Sequence, residues 1–427
     1  MESQSEVHND ARPLTKTPLF AQFAAPFRLS RAFPYLWLGH LISVLGSSVS
    51  LLLLPVIVYT LTGSSTVMGF ILAAFMLPNI LMLPVSGWLV DRYNRINIML
   101  LTDAGRFVLM LILTILLFTD SLNIPLLTVI VAIYGAMDGL FNPAYSAVRA
   151  SVFTEEIRNS ANAITQISNQ AVKLIGPSLG GVLVTFMSAG WGIGLDALTY
   201  AASFICIFHL RRLLPYVKKL PASGEKSSVQ GDFKEGIQVL RSNPWLWVTI
   251  LAFSFVNICF GGLVAVLVPW LFKVHLELDP YVYGVAVTCA GVGAIVAGLL
   301  FGSRSHWRHR GILAYGGALI SGIALLGMSM ISSGVGLCIL FAVEGFGIMV
   351  FALIWETSLQ ELVPQEIFGR VASLDMLGSF ALLPFGYILI GWLADHIGGT
   401  VTIAMFSGMG ILAVLLILLH PAIRKFD

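Results

Sequence analysis

Gly87-Trp88-Leu89-Val90-Asp91-Arg92-Tyr93-Asn94-Arg95 is a short charged turn between two long apolar runs. Residues 67–86 before it carry no Asp, Glu, Lys or Arg, and residues 98–118 after it carry only Asp103 and Arg106. A bilayer core of about 30 Å takes roughly 20 apolar residues to cross as a helix. Two runs of that length joined by a tight polar turn form a transmembrane hairpin, with the turn at a membrane surface.

The rest of the chain repeats this pattern. Of its 427 residues 57% are hydrophobic and only 11% are charged, with a mean hydropathy of +0.89. A soluble domain uses about 25% charged residues to cover its surface, so most of this chain is solvated by lipid. The same length criterion predicts twelve spans, at 34–61, 67–90, 97–118, 123–149, 161–187, 190–210, 244–273, 281–302, 311–331, 335–357, 370–394 and 399–420. The predicted class is an all-α membrane protein.

Orientation follows from the basic residues. Apart from Arg106 and Lys173 inside spans and Lys273 after span 7, every Lys and Arg lies in a terminal tail or in a turn after span 2, 4, 6, 8 or 10. Those turns and both termini are therefore expected in the cytoplasm. The tail 1–33 does not read as a signal peptide. Its residues 18–31 interleave Phe20, Phe23, Phe27 and Leu29 with basic residues, as an interfacial lead-in would.

The longest internal connection, 211–243, is rich in Lys, Ser, Gly and Pro and reads as a cytoplasmic linker. Phe233, Ile237 and Leu240 near its end have the spacing of a short amphipathic helix. It divides the chain into a half at 34–210 and a half at 244–420, followed by a cytoplasmic tail at 421–427. Pro34-Tyr35-Leu36-Trp37 recurs as Pro244-Trp245-Leu246-Trp247, a shift of 210 residues, and Gly176 and Gly181 recur as Gly386 and Gly391 at the same shift. Six spans separate the copies, which predicts two six-helix halves related by a parallel repeat about an axis along the membrane normal.

Ionisable groups inside apolar runs are the candidate functional residues, since a charge at mid-bilayer costs about 2.5–3.5 kcal/mol on insertion scales. Asp138 in span 4 and Glu344 in span 10 occupy equivalent spans of the two halves. A carboxylate taken out of water favours its protonated form, so either acid suits proton coupling or attraction of a cationic substrate; pairing within the bundle is the structural alternative. Lys173 in span 5 is the expected partner of Asp138, or else a contact for an anionic substrate group. Asp103 and Arg106, three residues apart, read as a local ion pair near the cytoplasmic interface. Glu356 and Asp375 fall near the cytoplasmic ends of spans 10 and 11.

Gly176-Pro177-Ser178-Leu179-Gly180-Gly181 breaks span 5 with a proline and supplies small residues for close backbone approach. Pro78, Asn79 and Pro84 are expected to kink span 2, and Gly298 with Gly302 to form a close-packing pair in span 8. Cys206, Cys259, Cys289 and Cys338 lie far apart in apolar runs and read as packing residues. No phosphate-binding loop, metal-ligand cluster or nucleophile elbow is present, and the turns are too short for a catalytic domain. An ATP-driven pump, an enzyme, a cofactor and a nucleic-acid partner are all unsupported.

With these residues in place the chain resembles the major facilitator superfamily, and within it the bacterial branch of macrolide efflux proteins and enterobactin exporters. The resemblance covers residues 34–420. Gly87-x-Leu89-x-Asp91-Arg92-x-x-Arg95 resembles the superfamily signature between helices 2 and 3, with Asn94 where glycine is usual; asparagine also tolerates the left-handed conformation. Gly176-Pro177-x-x-Gly180-Gly181 resembles the end of the helix 5 antiporter motif, whose upstream glycines are absent here. Leu61-Thr62-Gly63-Ser64, Phe141-Asn142-Pro143 and the run from Asp196 to Phe204 add similarity to the efflux branch. The arginine that many drug antiporters carry in helix 4 is missing, and Gly135 stands near that place.

What the resemblance implies is a monomeric, proton-driven exporter of amphipathic small molecules in the cell membrane. Spans 1, 4, 7 and 10 would line its cavity, with Phe141, Tyr145, Phe260, Phe346 and Trp355 as aromatic walls. Asp91, Arg92 and Arg95 would latch the cytoplasmic side shut in the outward-facing state, Asp91 meeting the start of span 11 near Arg370 and Asp375 and the arginines meeting acids such as Glu155, Glu156 or Asp375. Export of one endogenous product such as a siderophore uses the same fold. A lipid flippase or a non-transporting membrane partner is the reading from a different class.

Overall fold

The computed structural model describes residues 19–154, 156–214, 243–302, 307–363 and 365–424, with backbone alone at 19–23, Asp91, Asn159 and 365–370. The membrane helices are α1 (Phe33–Thr62), α2 (Ser65–Arg92), α3 (Arg95–Phe118), α4 (Ile124–Val152), α5 (Arg158–Phe186) and α6 (Ala189–Leu213) in the first half. The second half holds α7 (Pro244–His275), α8 (Pro280–Gly302), α9 (Arg310–Met328), α10 (Gly334–Leu362), α11 (Gln365–Phe380 and Leu383–Ile397) and α12 (Gly399–Leu418). All but α5 are long and apolar enough to cross a membrane on length and hydropathy. α5 has the length, 29 residues, but is more polar. The reason is visible on its surface, where Gln166, Gln170 and Lys173 form one exposed stripe at helical spacing.

Local chemistry sets the helix ends. Ser64, Asn94, Asn123 and Ser333 each accept a bond from a backbone N–H in the first turn of α2, α3, α4 and α10. Gly63 ends α1 at φ 64°, a left-handed position that favours glycine. Asn94 does not take the left-handed conformation; it lies at φ −66°, ψ 118° and works as an N-cap, its Oδ1 accepting from Ile96 N at 2.9 Å. The lead-in at Leu19–Leu29 is a helix whose Phe27 ring sits 5.0 Å from Phe33 and 5.4 Å from Trp37.

Two helices depart from the expected regularity. α11 is interrupted at Ala381–Leu382, between Phe380 and Pro384, which has no N–H to bond the carbonyl four residues back. α7 contains three π-helical turns, Asn257–Gly261, Leu263–Leu267 and Leu271–His275. Span 2 is one continuous helix with Pro78 and Pro84 inside it. Among the described residues Gly298 and Gly302 do not form a close-packing pair: a methyl at Gly298 would meet none of them within 4 Å, and one at Gly302 only Leu353, at 3.7 Å. The predicted amphipathic turn at 233–240 and most of the 211–243 linker lie outside the described residues.

The bundle has two faces. One carries the turns after α1, α3, α5, α7, α9 and α11, here the odd face; the other carries the turns after the even helices, the even face. On the odd side a single apolar core runs through both halves, joining Val49, Leu53, Ile57 and Met68 to Val266, Leu267, Leu271 and Phe272. On the even side each half has its own cluster. Phe33, Leu36, Met99, Val148 and Leu210 form one, and Leu246, Ile250, Leu359 and Val371 form the other. Hydrogen bonds between the halves follow the core: Tyr59 Oη donates to the Val266 carbonyl at 2.6 Å, Tyr281 N to Thr185 Oγ1 at 3.1 Å, and Thr288 Oγ1 to the Leu174 carbonyl at 2.9 Å. The halves are thus fused at the odd face and separate toward the even face.

Candidate functional site: a two-lobed central cavity

The separation leaves a cavity in two lobes. The first, about 450 Å³, is walled by α1, α2, α3, α4 and α6, with His40, Ser47, Tyr134, Asp138 and Arg106 among its polar groups. The second, about 670 Å³, lies between α1, α5, α8 and α10 and contains Gln170, Lys173, Pro177 and Glu344. Ser48 and Leu51 of α1 border both. α7 lines neither lobe, in contrast to the expectation for spans 1, 4, 7 and 10.

Arg106 organises the first lobe. It is 3% exposed, and its Nη2 lies 2.6 Å from Asp103 Oδ1, one helical turn back on α3. Its Nη1 reaches Asp138 Oδ1 on α4 at 3.5 Å. The guanidinium is also sandwiched, 4.1 Å from the Phe141 ring and 4.7 Å from that of Tyr200, where the cation meets the negative faces of both rings. Asp103 is fully buried and takes a second bond from Ser203 at 2.7 Å. The Asp103–Arg106 pair is therefore not interfacial: it is buried in the first half and holds the one cation that faces Asp138.

Asp138 is the exposed end of that chain. Its Oδ2 accepts from Asn79 of α2 and from Asn142, one turn on along α4, both at 3.1 Å, and its side chain is 28% exposed. The expected Asp138–Lys173 pair does not form. Lys173 projects into the second lobe, exposed and without an ion-pair partner among the described residues. Glu344 shares that lobe, 8% exposed, with Ser321 Oγ as its donor at 3.3 Å. Each lobe thus holds an acid and a base, but the cation is ion-paired in the first lobe and, among the described residues, unpaired in the second.

Sequence reasoning missed a third acid. Asp196 of α6 is fully buried, bonded to Ser50 of α1 at 2.5 Å and to Thr199 at 3.2 Å. Beside it Ser47 Oγ meets Tyr200 Oη at 2.8 Å, and Tyr200 Oη meets Tyr134 Oη at 2.6 Å. The rule that selects Asp138 and Glu344, an ionisable group inside an apolar run, selects Asp196 too. The signal for Asn142 is its i,i+4 position to Asp138.

The aromatic predictions divide. Phe141 lines the first lobe and Tyr145 stacks on the cavity residue His40 at 4.1 Å. Phe260 is buried away from both lobes, against the positions of Gly322 and Gly410. Phe346 packs edge-on to Phe301, and Trp355 stacks on Phe351 while donating to Asp375 at 3.1 Å. None of these three lines a lobe.

The helix 5 glycines pack α5 on both sides. Gly176 and Gly180 face Ser48 and Val49 of α1, and Gly181 faces Tyr281 and Gly284 of α8. Pro177 lines the second lobe. At the 87–95 turn, Arg92 lies 4.5 Å over the Trp88 ring and Arg95 Nε donates to the Val90 carbonyl at 3.5 Å, so both described contacts are local. The Asp91 side chain, Glu155 and the side chains at the start of α11 lie outside the described residues.

This architecture has a match. The family model of the Major Facilitator Superfamily covers residues 36–382. The chain belongs to the Major Facilitator Superfamily. It is 23% identical over 368 residues to macrolide efflux protein A of Streptococcus pyogenes, covering 86% of this chain and 90% of that protein. It is 26% identical over 419 residues to the enterobactin exporter EntS of Salmonella paratyphi A, covering 92% and 94%. Among solved structures, a bacterial homologue of the iron transporter ferroportin in an inward-facing state superposes with a TM-score of 0.70 at 17% identity, covering 93% of this chain and 98% of that one; this likeness speaks to the fold. The protein is a multi-pass membrane transporter of the superfamily and not an enzyme.

Proposed function

We propose that this superfamily member exports amphipathic small molecules, such as macrolide-like antibiotics, across the cell membrane by alternating access in exchange for protons. The observation that carries the reading is the cavity itself. It is bounded by both halves, walled mostly by apolar side chains, furnished with an acid and a base in each lobe, and sealed on the odd face only. Apolar walls with a few placed charges suit loosely specific binding of amphipathic molecules. The basic turns support a cytoplasmic even face and cytoplasmic termini, so the arrangement corresponds to an inward-open state. The transporter acts as a monomer, with 34–210 and 244–420 as its moving halves and 211–243 as the linker.

In this reading Asp138 exchanges its hydrogen-bonded, Arg106-paired state for contact with substrate or proton, and Glu344 with Lys173 serves the second lobe. Asp91 with Gly87, Arg92 and Arg95 latches the even face when the cavity opens outward. Gly176, Pro177, Gly180 and Gly181 let α5 slide against α1 and α8. The similarity to the enterobactin exporter favours a second reading, a dedicated exporter of one endogenous metabolite.

The test is expression in a susceptible, efflux-deficient bacterium across a drug panel. The first reading expects a raised inhibitory concentration and active extrusion of at least one amphipathic drug. If no drug is extruded and none loses potency, multidrug export is wrong and the dedicated exporter stands.

A further inference from the structure

The five residues that open the 87–95 turn have a near copy elsewhere in the chain. Gly87-Trp88-Leu89-Val90-Asp91 ends α2 at the even face, and Gly391-Trp392-Leu393-Ala394-Asp395 ends α11 at the odd face. The shift is not the 210 residues of the repeat, so the copy is not inherited from the relation between halves. α2 and α11 belong to different halves, run in opposite directions and pack against each other. Each therefore carries a closely similar pentapeptide at its end, one on each side of the membrane, and the α11 copy lies on the start of α2.

On the odd face the contact is fully formed. Asp395 Oδ1 accepts from Ser65 N at 2.9 Å, and Oδ2 accepts from Thr66 N at 3.0 Å, Ser64 Oγ at 2.6 Å and Thr66 Oγ1 at 2.7 Å. These are the first two backbone donors of α2, which have no partner within their own helix. Ser64 Oγ in turn accepts from Val67 N at 3.2 Å, so the next donor is satisfied as well. A carboxylate at this end also faces the positive pole of the helix. Gly391 permits the approach: a methyl there would run into the backbone of Ser65 and Thr66. One turn deeper, Gly69 of α2 sits as closely on the Tyr387 carbonyl of α11.

On the even face a methyl at Gly87 would meet nothing within 4 Å among the described residues, and the apolar clusters of the two halves are separate on that side. We propose that Gly391 and Asp395 are a second latch, which holds the odd face shut by capping α2 and must release Ser64–Thr66 before the cavity can open there. The Asp395 contact is then seated while the odd face is closed and released when that face opens. The inference rests on the alternating-access reading and assigns the state-setting role on the odd face to a named carboxylate.

The test needs no substrate. In full-length protein in lipid nanodiscs, with the four native cysteines replaced, spin labels at Ser121 and Ser332 report the odd face and labels at Thr154 and Gln360 the even face. Removing the Asp395 carboxylate with Asp395→Ala is expected to shift the ratio of odd-open to odd-closed populations about tenfold, the factor that 1.4 kcal/mol gives. Asp395→Asn, which keeps the size but loses the charge and one acceptor, is expected to shift it less in the same direction. Asp91→Ala is expected to leave the odd face closed. Distances unchanged in both Asp395 variants, with an odd-open population detectable in the wild type, would overturn the latch alone. If no variant and no condition yields an odd-open population, alternating access fails and the latch fails with it.

Discussion

Arg106 is where the geometry makes its sharpest demand. Its guanidinium is the only cation among the described residues within ion-pair distance of Asp103, which is fully buried, and of Asp138. Arg106→Met keeps most of the side-chain volume but leaves the Asp103 carboxylate buried without a counter-charge. Breaking a buried pair from one side costs about 3–5 kcal/mol. The Asp138 contact adds little to that figure, since that side chain is 28% exposed and such pairs contribute about 0–1 kcal/mol. The ring contacts with Phe141 and Tyr200 add about 0.5–2 kcal/mol between them. The double variant Asp103→Asn/Arg106→Met removes the stranded charge and leaves Ser203 a neutral partner, so it should recover most of the loss. Arg106→Lys should fall between, because an ammonium is a point charge that cannot span Asp103 and Asp138 as the planar fork does. The assay is thermal inactivation in detergent at one fixed heating rate, followed by a thiol-reactive dye at the four free cysteines. The fixed rate matters because membrane-protein unfolding is commonly irreversible. If Arg106→Met is no less stable than the double variant, Asp103 is not held by that charge and the cluster is mere packing.

Two further outcomes follow from the cavity. Asp138→Asn keeps the bonding shape toward Asn79 and Asn142 and removes the charge facing Arg106; substrate binding should survive while proton-driven exchange is lost, and wild-type coupling in vesicles would rule out Asp138 as the coupling acid. Gly284→Leu places a branched side chain against the Pro177 carbonyl and Gly181 across the α5–α8 seam, so the odd face should close less often. A single cysteine at Leu51, treated in whole cells with a membrane-impermeant thiol reagent, should then label at least several-fold faster than in the unsubstituted background, and an unchanged rate would show that the seam does not gate access.

The charged turn at 87–95 was enough to find the first hairpin, and the length criterion placed most helix ends within about three residues, because lipid imposes one period and one length on every span. Asp138 and Glu344 were legible for the same reason: any ionisable group in an apolar run stands out. Its partner was not. Whether Asp138 meets Lys173 or Arg106 depends on which helices abut and how deep each side chain lies, and Arg106 looked committed to Asp103 three residues away. Phe260 was named because span 7 was expected to line the cavity, and α7 lines neither lobe, a matter of helix packing that the sequence does not carry. The twinned pentapeptide is plain in the sequence, but only the packing of α2 on α11 shows that the Asp395 copy sits on the start of α2.

The serines of α1 tie these parts together. Successive residues on a helix are about 100° apart, so Ser47 and Ser50, three residues apart, share the face toward α6 while Ser48 turns toward α5. Ser47 joins the Tyr200–Tyr134 hydroxyl pair, Ser48 borders both lobes and packs on Gly176 of α5, and Ser50 bonds Asp196. Gly46 makes this possible, because a methyl there would collide with Asp196 and Thr199. One turn of α1 therefore touches the hydroxyl network, the wall between the lobes, the helix 5 glycines and a buried acid. Its far end is held to the other half through Tyr59 and Val266, beside the Asp395 cap on α2. In the proposed cycle, opening the odd face would free that end, and a tilt of α1 would move the wall between Asp138 and Glu344 and the hydroxyl of Ser50 together. That cycle would couple the proposed latch at the membrane surface to the acids in the cavity along this helix.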